Sequence, residues 1–217
     1  MPNFKVITRT TERVITAVEA RNHLRLFGDA SDDTEIDEFI LSAQQYLDDY
    51  LGEFIGTTAV QVPVRSFGNR LVGAARQRDL PFDTRFSNTI ELPHRFIKSL
   101  TSLRYYNTQD VLTTVAPTVY LYDDSGVDPV ISLRTGQSWP ADVSEDREFP
   151  VIVDYSAGLS TTVSATVGNV DPAIRSAVLL ILDELYHNRA SFIVNGTITQ
   201  LPITAERLLR GYRRVNV

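Results

Sequence analysis

The stretch RSAVLLILDELYHNRAS, residues 175–191, sets five aliphatic side chains in a row ahead of two acids, a histidine and an arginine. It can be an active-site helix, a metal site or a structural beam, and the choice fixes how the rest of the chain is read. Asp171-Pro172 just before it is an N-cap followed by proline at the first helical position, which predicts a helix from 172 to about 190. On the helical wheel Ile174, Val178, Ile181 and Leu185 make one face, with Asp183, Glu184 and His187 opposite. Once Leu179, Leu180 and Tyr186 are counted, the apolar arc exceeds half the circumference, so the helix needs cover on more than one side. Glu184-Leu-Tyr-His187 does have the Glu-x-x-His spacing used by di-iron bundles. Such a site needs a second pair and two further glutamates, and His23 and His94, the other two histidines, lack that spacing. The stretch reads as a beam, with no metal expected.

Two more helices open the chain. Thr16-Ala-Val-Glu19 is a capping-box pattern, predicting a helix to about Leu26. After the loop GDASDD (28–33), Asp32 or Asp33 can cap a second helix, whose stripe is Ile36, Phe39, Ile40, Ala43, Leu47, Tyr50 and Leu51 and whose stop is Gly52. Between the helical ends the period changes to two. Short β-branched and aromatic runs near 57–67, 88–92, 100–107, 111–115, 118–124, 129–134 and 149–155, parted by Gly, Pro, Asn and Asp, predict an antiparallel sheet or small sandwich. RYYNTQDVLTTV reads as a hairpin turning at Asn107 to Asp110. Residues 68–87 have no period and read as a projecting loop, 191–201 as a connecting loop or short hairpin, and 202–211 as a last short helix. The fold class expected is α+β: N- and C-terminal helices in a small bundle (1–56 and 171–217) with an inserted antiparallel β-sheet or sandwich (57–170).

Composition narrows function mainly by exclusion. With no cysteine there is no disulfide, thiolate site or cysteine nucleophile. No apolar run approaches the ~20 residues that span a bilayer, and MPNFKVITRTTER lacks the apolar core of a signal peptide. The sequence shows no phosphate loop, no Gly-x-Ser-x-Gly elbow and no Ser/His/Asp spacing, so neither enzyme activity nor a cofactor is expected. Asp123-Asp-Ser-Gly-Val-Asp128 lacks the alternating ligands of a calcium loop and reads as a turn. Trp139 is expected to pack beside Pro140. Arg65, Arg70, Arg76, Arg78 and Arg85 mark the middle loop, and Arg207, Arg210, Arg213 and Arg214 the C-terminus, in a chain of net charge −6. Docking on an acidic partner surface suits them better than sequence-specific DNA binding. Charge alternates in blocks along the chain: −6 over 1–60, +4 over 61–110, −6 over 111–170 and +2 over 171–217.

As an ordered set these features resemble the head–tail connector (adaptor) family of tailed bacteriophages and gene transfer agents. Val14–Thr16 with Glu19-Ala-Arg-Asn-His-Leu-Arg25 is similar to the family's Val-x-x-Ala-x-x-His-Leu-Arg element. FILSAQQYLDDYLG (39–52), Leu92-Pro93, LTSLRYYN (100–107) and Ser138-Trp139-Pro140 follow in the family's order. VIVDYSAG (151–158) is similar to its Val-x-Val-x-Tyr-x-Ala-Gly. Pro172-Ala-Ile-Arg-Ser-Ala177, Tyr186-His-Asn-Arg189, Leu201-Pro202 and Leu208-Leu209-Arg210-Gly-Tyr212-Arg213 close the set. The loops 68–87 and 191–201 depart from the pattern.

The resemblance implies a non-enzymatic virion protein of the head–tail neck, assembled in the host bacterial cytoplasm. About a dozen copies would form a ring under the portal, extend the DNA ejection channel and give the stopper or tail-completion protein its attachment site, with no membrane partner. It implies portal docking through Arg207, Arg210, Tyr212, Arg213 and Arg214. Ring packing would use Ile36, Phe39, Ile40, Leu47, Leu179, Leu180, Tyr186 and Arg189, and Arg70, Arg76, Arg78 and Arg85 would be contacts of the projecting loop. A dozen copies at −6 carry about −72, which lets double-stranded DNA pass without sticking. The alternatives are a stopper or tail-completion protein of the same neck, a carbohydrate-binding β module with exposed aromatics, or a metal-dependent hydrolase built on Glu184 and His187.

Overall fold

A computed structural model describes residues 4–9, 11–26, 32–67, 89–126, 128–162, 168–187 and 203–213. The chain divides into a β-rich unit (1–9, 58–158 and 215–217) and a helical unit (10–57 and 159–214). The fold is α+β, with four described helices and antiparallel sheets.

The helical unit holds α1 (Ala17–Leu24), α2 (Asp33–Leu51), α3 (Pro172–His187) and α4 (Ile203–Leu209). Thr16 caps α1 as a reciprocal box: its hydroxyl accepts from the Glu19 amide at 3.1 Å, and the Glu19 carboxylate accepts from the Thr16 amide at 2.9 Å. The helix stops at Leu24, two residues early, because Arg25 turns into the left-handed region at φ 60°. Gly52 ends α2 at φ 69°, where the missing Cβ makes that turn cheap. Asp171 caps α3 by accepting from the Ala173 amide at 3.0 Å. Ile36, Ile40, Ala43, Leu47 and Leu51 of α2 meet Ile174, Ala177, Val178, Ile181, Leu182 and Leu185 of α3 in one core, closed by Leu24 of α1 and by Ala205 and Leu209 of α4. Each large aliphatic buried there stabilises the unit by about 1.5–3 kcal/mol.

This unit also contains a polar clasp. Gln44 on α2 donates through Nε2 to the Glu12 carbonyl at 3.1 Å and accepts through Oε1 from the Val14 amide at 3.0 Å. The buried Glu12 carboxylate accepts from Ser160 Oγ at 3.3 Å and from the Thr57 amide at 3.4 Å. The short pair β9 (Thr161–Thr162) and β10 (Gly168–Asn169) follows, and the Gly168 amide donates to the Arg13 carbonyl at 2.8 Å.

In the β-rich unit, β1 (Lys5–Thr8), β2 (Thr58–Val64), β8 (Val151–Ala157), β4 (Ile97–Tyr106) and β5 (Leu112–Thr114) lie in that order, every neighbour antiparallel. β2 and β8 alternate buried and half-buried residues along their whole length, the signature of a sheet with one covered face. Asp154 staples the other face, accepting from Gln61 on β2 at 2.9 Å and from Ser102 and Arg104 on β4 at 2.7 Å each. A second sheet has the order β3 (Thr89–Glu91), β7 (Val130–Leu133), β6 (Tyr120–Asp123). All seven expected strand runs are strands, and the β4–β5 hairpin turns through Asn107–Asp110, with Asp110 at φ 61°.

β1 has no counterpart in the sequence reading, which left 1–9 with the helical ends. Lys5-Val-Ile-Thr8 sets two apolar residues side by side instead of alternating, and its pairing to β2 is what makes it a strand. Trp139 lies half-buried, stacked on Phe67 with centroids 4.7 Å apart and rings 8° from parallel. Asp123 caps its own turn, accepting from the Ser125 amide at 2.9 Å and its hydroxyl at 2.6 Å.

Candidate assembly surfaces

No three His, Asp or Glu side chains among the described residues come together as a metal site. His187 is exposed and pairs along its own helix, with Nδ1 2.9 Å from the Asp183 carbonyl and 3.3 Å from its carboxylate. No described helix is long and apolar enough to cross a membrane.

The expected ring-packing residues separate into two groups. Ile36, Ile40 and Leu47 are 0% exposed within the single chain. Their stripe lies in the core shared with α1, α3 and α4, so in the single chain they are core side chains. Phe39, Leu179, Leu180 and Tyr186 are only half-buried on the fringe of that core. Phe39 and Tyr186 meet edge to face at 6.4 Å, and the Tyr186 hydroxyl donates to Asp32 at 3.2 Å, which ties α3 to the start of α2. These four remain available to a neighbour. Arg189 lies outside the described residues, as do Arg70, Arg76, Arg78 and Arg85, the loops 68–87 and 191–201, and the stretch from 188 to about 190 that the sequence predicts as helix.

At the C-terminal end α4 buries Ala205 and Leu209 and turns its opposite face outward. Arg207 and Arg210 stand exposed on that face, three residues apart, and neither has an ion-pair partner among the described residues. Arg213 is held instead, its guanidinium 5.1 Å from the Tyr50 ring centroid. Tyr212 is fixed to the cap of α3. Its hydrogen bond to Asp171, reinforced by burial and by the carboxylate charge, raises the phenol above its ordinary value. The Ala173 amide and then the Tyr212 hydroxyl hold the Asp171 carboxyl below its ordinary value. One carboxylate thus caps α3 and holds Tyr212 in the segment after α4. Arg214 lies outside the described residues.

Sequence reasoning missed one class of surface, the open strand edges. β1 and β5 end the five-stranded sheet, and β3 and β6 end the three-stranded one. Exposed apolar residues sit on three of these edges or beside them: Ile7 on β1 (52%), Val111 and Leu112 at β5 (55% and 37%) and Leu121 on β6 (45%). Only strand order reveals which strands end a sheet, and strand order is a property of pairing between distant segments.

No protein-family model matches the sequence, and no curated protein does. Solved structures do match its fold. A chain in the neck of an empty gene transfer agent (GTA) particle, computed with C6 symmetry, superposes with TM-score 0.69 at 19% identity, covering 99% of this chain and 97% of that one. A chain of the virion of a native gene transfer agent particle gives 0.68 at 18%, covering 99% and 96%. A chain from the neck of a native particle computed with C12 symmetry gives 0.65 at 17%, covering 99% and 97%. At these identities the likeness is one of fold.

Proposed function

We propose that this protein is a structural component of the head–tail neck of a phage-like particle, and within the neck the adaptor. A ring of copies, a dodecamer when complete, would sit under the portal, continue the DNA channel and offer the stopper or tail-completion protein its attachment site. The observation that carries the reading is coverage: chains of gene transfer agent necks match this fold over 99% of its length and nearly all of theirs. A borrowed module would match over part of one chain. The C6 and C12 symmetry of those particles suits a closed ring, and a closed ring needs two unlike complementary patches per copy. The role is non-enzymatic, and an acidic ring favours passage of DNA over its capture.

Portal docking is assigned to the outward face of α4. Arg207 on α4 and Arg210 just after it, both exposed and without an ion-pair partner among the described residues, present positive charge to an acidic partner surface. Phe39, Leu179, Leu180 and Tyr186 supply apolar area for contact between copies.

The test is native mass spectrometry of the protein mixed with the portal ring of its own particle. The expected result is one copy bound per portal subunit, with affinity falling about tenfold or more in Arg207→Glu/Arg210→Glu. Charge reversal is better than truncation, because cutting before Arg207 removes Leu209 from the core. Undiminished binding by the reversed pair would move docking elsewhere. A wild-type protein that ignores the bare portal but binds a neck already carrying an adaptor would be a stopper.

A further inference from the structure

The β-rich unit carries two open edges of opposite charge whose exposed side chains complement each other. Among the described residues, β1 ends the five-stranded sheet and pairs with β2 alone, and β6 ends the three-stranded sheet and pairs with β7 alone. Each is four residues long and, among the described residues, has no second strand beside it; on β6 the Tyr120 carbonyl of that edge accepts from Arg134 Nε at 2.8 Å, which leaves the Tyr122 backbone groups for a new strand. On β1 the register against β2 slips between Val6 and Thr8, so Ile7 is the extra residue of a bulge and stands 52% exposed. Lys5 is exposed two residues before it and Arg9 two residues after. On β6 the alternation turns Tyr120 inward and Leu121 outward at 45% exposure, with Asp123 exposed next on the same side and Asp124 beyond.

We infer that β1 of one copy adds to the free edge of β6 in the next copy, antiparallel, with Ile7 opposite Leu121 and Lys5 opposite Asp123. In an antiparallel pair the two residue numbers keep a constant sum, so the first match enforces the second. Directly opposed side chains lie ~4.5–5.5 Å apart at Cβ, close enough for the aliphatic pair to touch and the charges to pair. The same charges reject the wrong partners. Two β1 edges would set Lys5 and Arg9 against their like, and two β6 edges would stack Asp123 and Asp124 on acids, so only the unlike pairing is compensated. The Ser125 amide and hydroxyl hold the Asp123 carboxyl below its ordinary value, which keeps it charged. Because the two edges differ, the contact is head to tail, the type that closes into rings.

This inference rests on the ring reading and adds a contact to it. The test uses the absence of cysteine in the chain. Ile7→Cys and Leu121→Cys variants, both at exposed positions, are assembled on the portal separately and as a mixture, then oxidised and run on a denaturing gel. The expected result is a covalent dimer from the mixture and none from either variant alone. The double variant should give a ladder. Lys5→Glu should lower the mixed yield, and Lys5→Glu together with Asp123→Lys should restore it. Portal-bound copies that do not cross-link, or that give self-dimers as readily as mixed ones, overturn the edge contact and leave the ring reading standing. Copies that fail to gather on the portal overturn both.

Discussion

Adding one methyl group at Gly168 tests the clasp of the helical unit. A Cβ built there falls on Glu12 Oε1 well inside van der Waals contact, 2.9 Å from Ser160 Cβ and 3.0 Å from Glu12 Cδ. The backbone at Gly168 is not in the left-handed region, so the whole cost is steric. The Glu12 carboxylate cannot move aside freely, because Ser160 and the Thr57 amide hold it in a buried place. Gly168→Ala must therefore overpack the site or break those bonds. Overpacking costs about 1–3 kcal/mol and a lost hydrogen bond to a buried charged group about as much, so whichever gives way, a destabilisation of about 1–3 kcal/mol is expected. Urea denaturation should show it, with a thermal midpoint about 2–12 °C lower. Gly211→Ala is the control, since nothing lies within 4 Å of its added Cβ. The cost should shrink by about 1 kcal/mol or more when Glu12→Ala is already present, because the two share one contact. Gly168→Ala within about 0.5 kcal/mol of wild type, or an equal cost with and without Glu12, would refute the reasoning.

Two further predictions concern helix ends. Thr16→Ala removes the hydroxyl that the Glu19 amide donates to and should cost about 1 kcal/mol in chemical denaturation, less if the Thr16 amide keeps its bond to the Glu19 carboxylate. Asp171→Ala should destabilise the protein at neutral pH. The folded-state pKa of Asp171 is depressed, so its contribution is fully present above its ordinary value of 3.8 and is lost as pH falls through the lower folded value. Denaturation of wild type and variant at pH 7 and pH 3 should therefore show a gap that narrows in acid. A gap that widened there would contradict the bond to Tyr212 and the cap.

The sequence by itself determined the local elements, because their causes are local. The Thr16–Glu19 box, Gly52 and Asp171-Pro172 act within one turn, and alternation in TAVQVPV and VIVDYSA needs only neighbouring residues. The beam reading of the helix from 172 to about 190 also came from the sequence, since a wheel shows how much of a helix is apolar. What a wheel cannot show is what covers each part of that arc. Only the tertiary structure decided that the common core takes all of Ile36, Ile40 and Leu47, leaving Phe39, Leu179, Leu180 and Tyr186 half-buried at its fringe. The same holds for Gly168 on Glu12, 156 residues apart, and for β1 and β6 as edges. Which strand ends a sheet is set by pairings across the whole chain, so the open edges became visible only when the chain was folded.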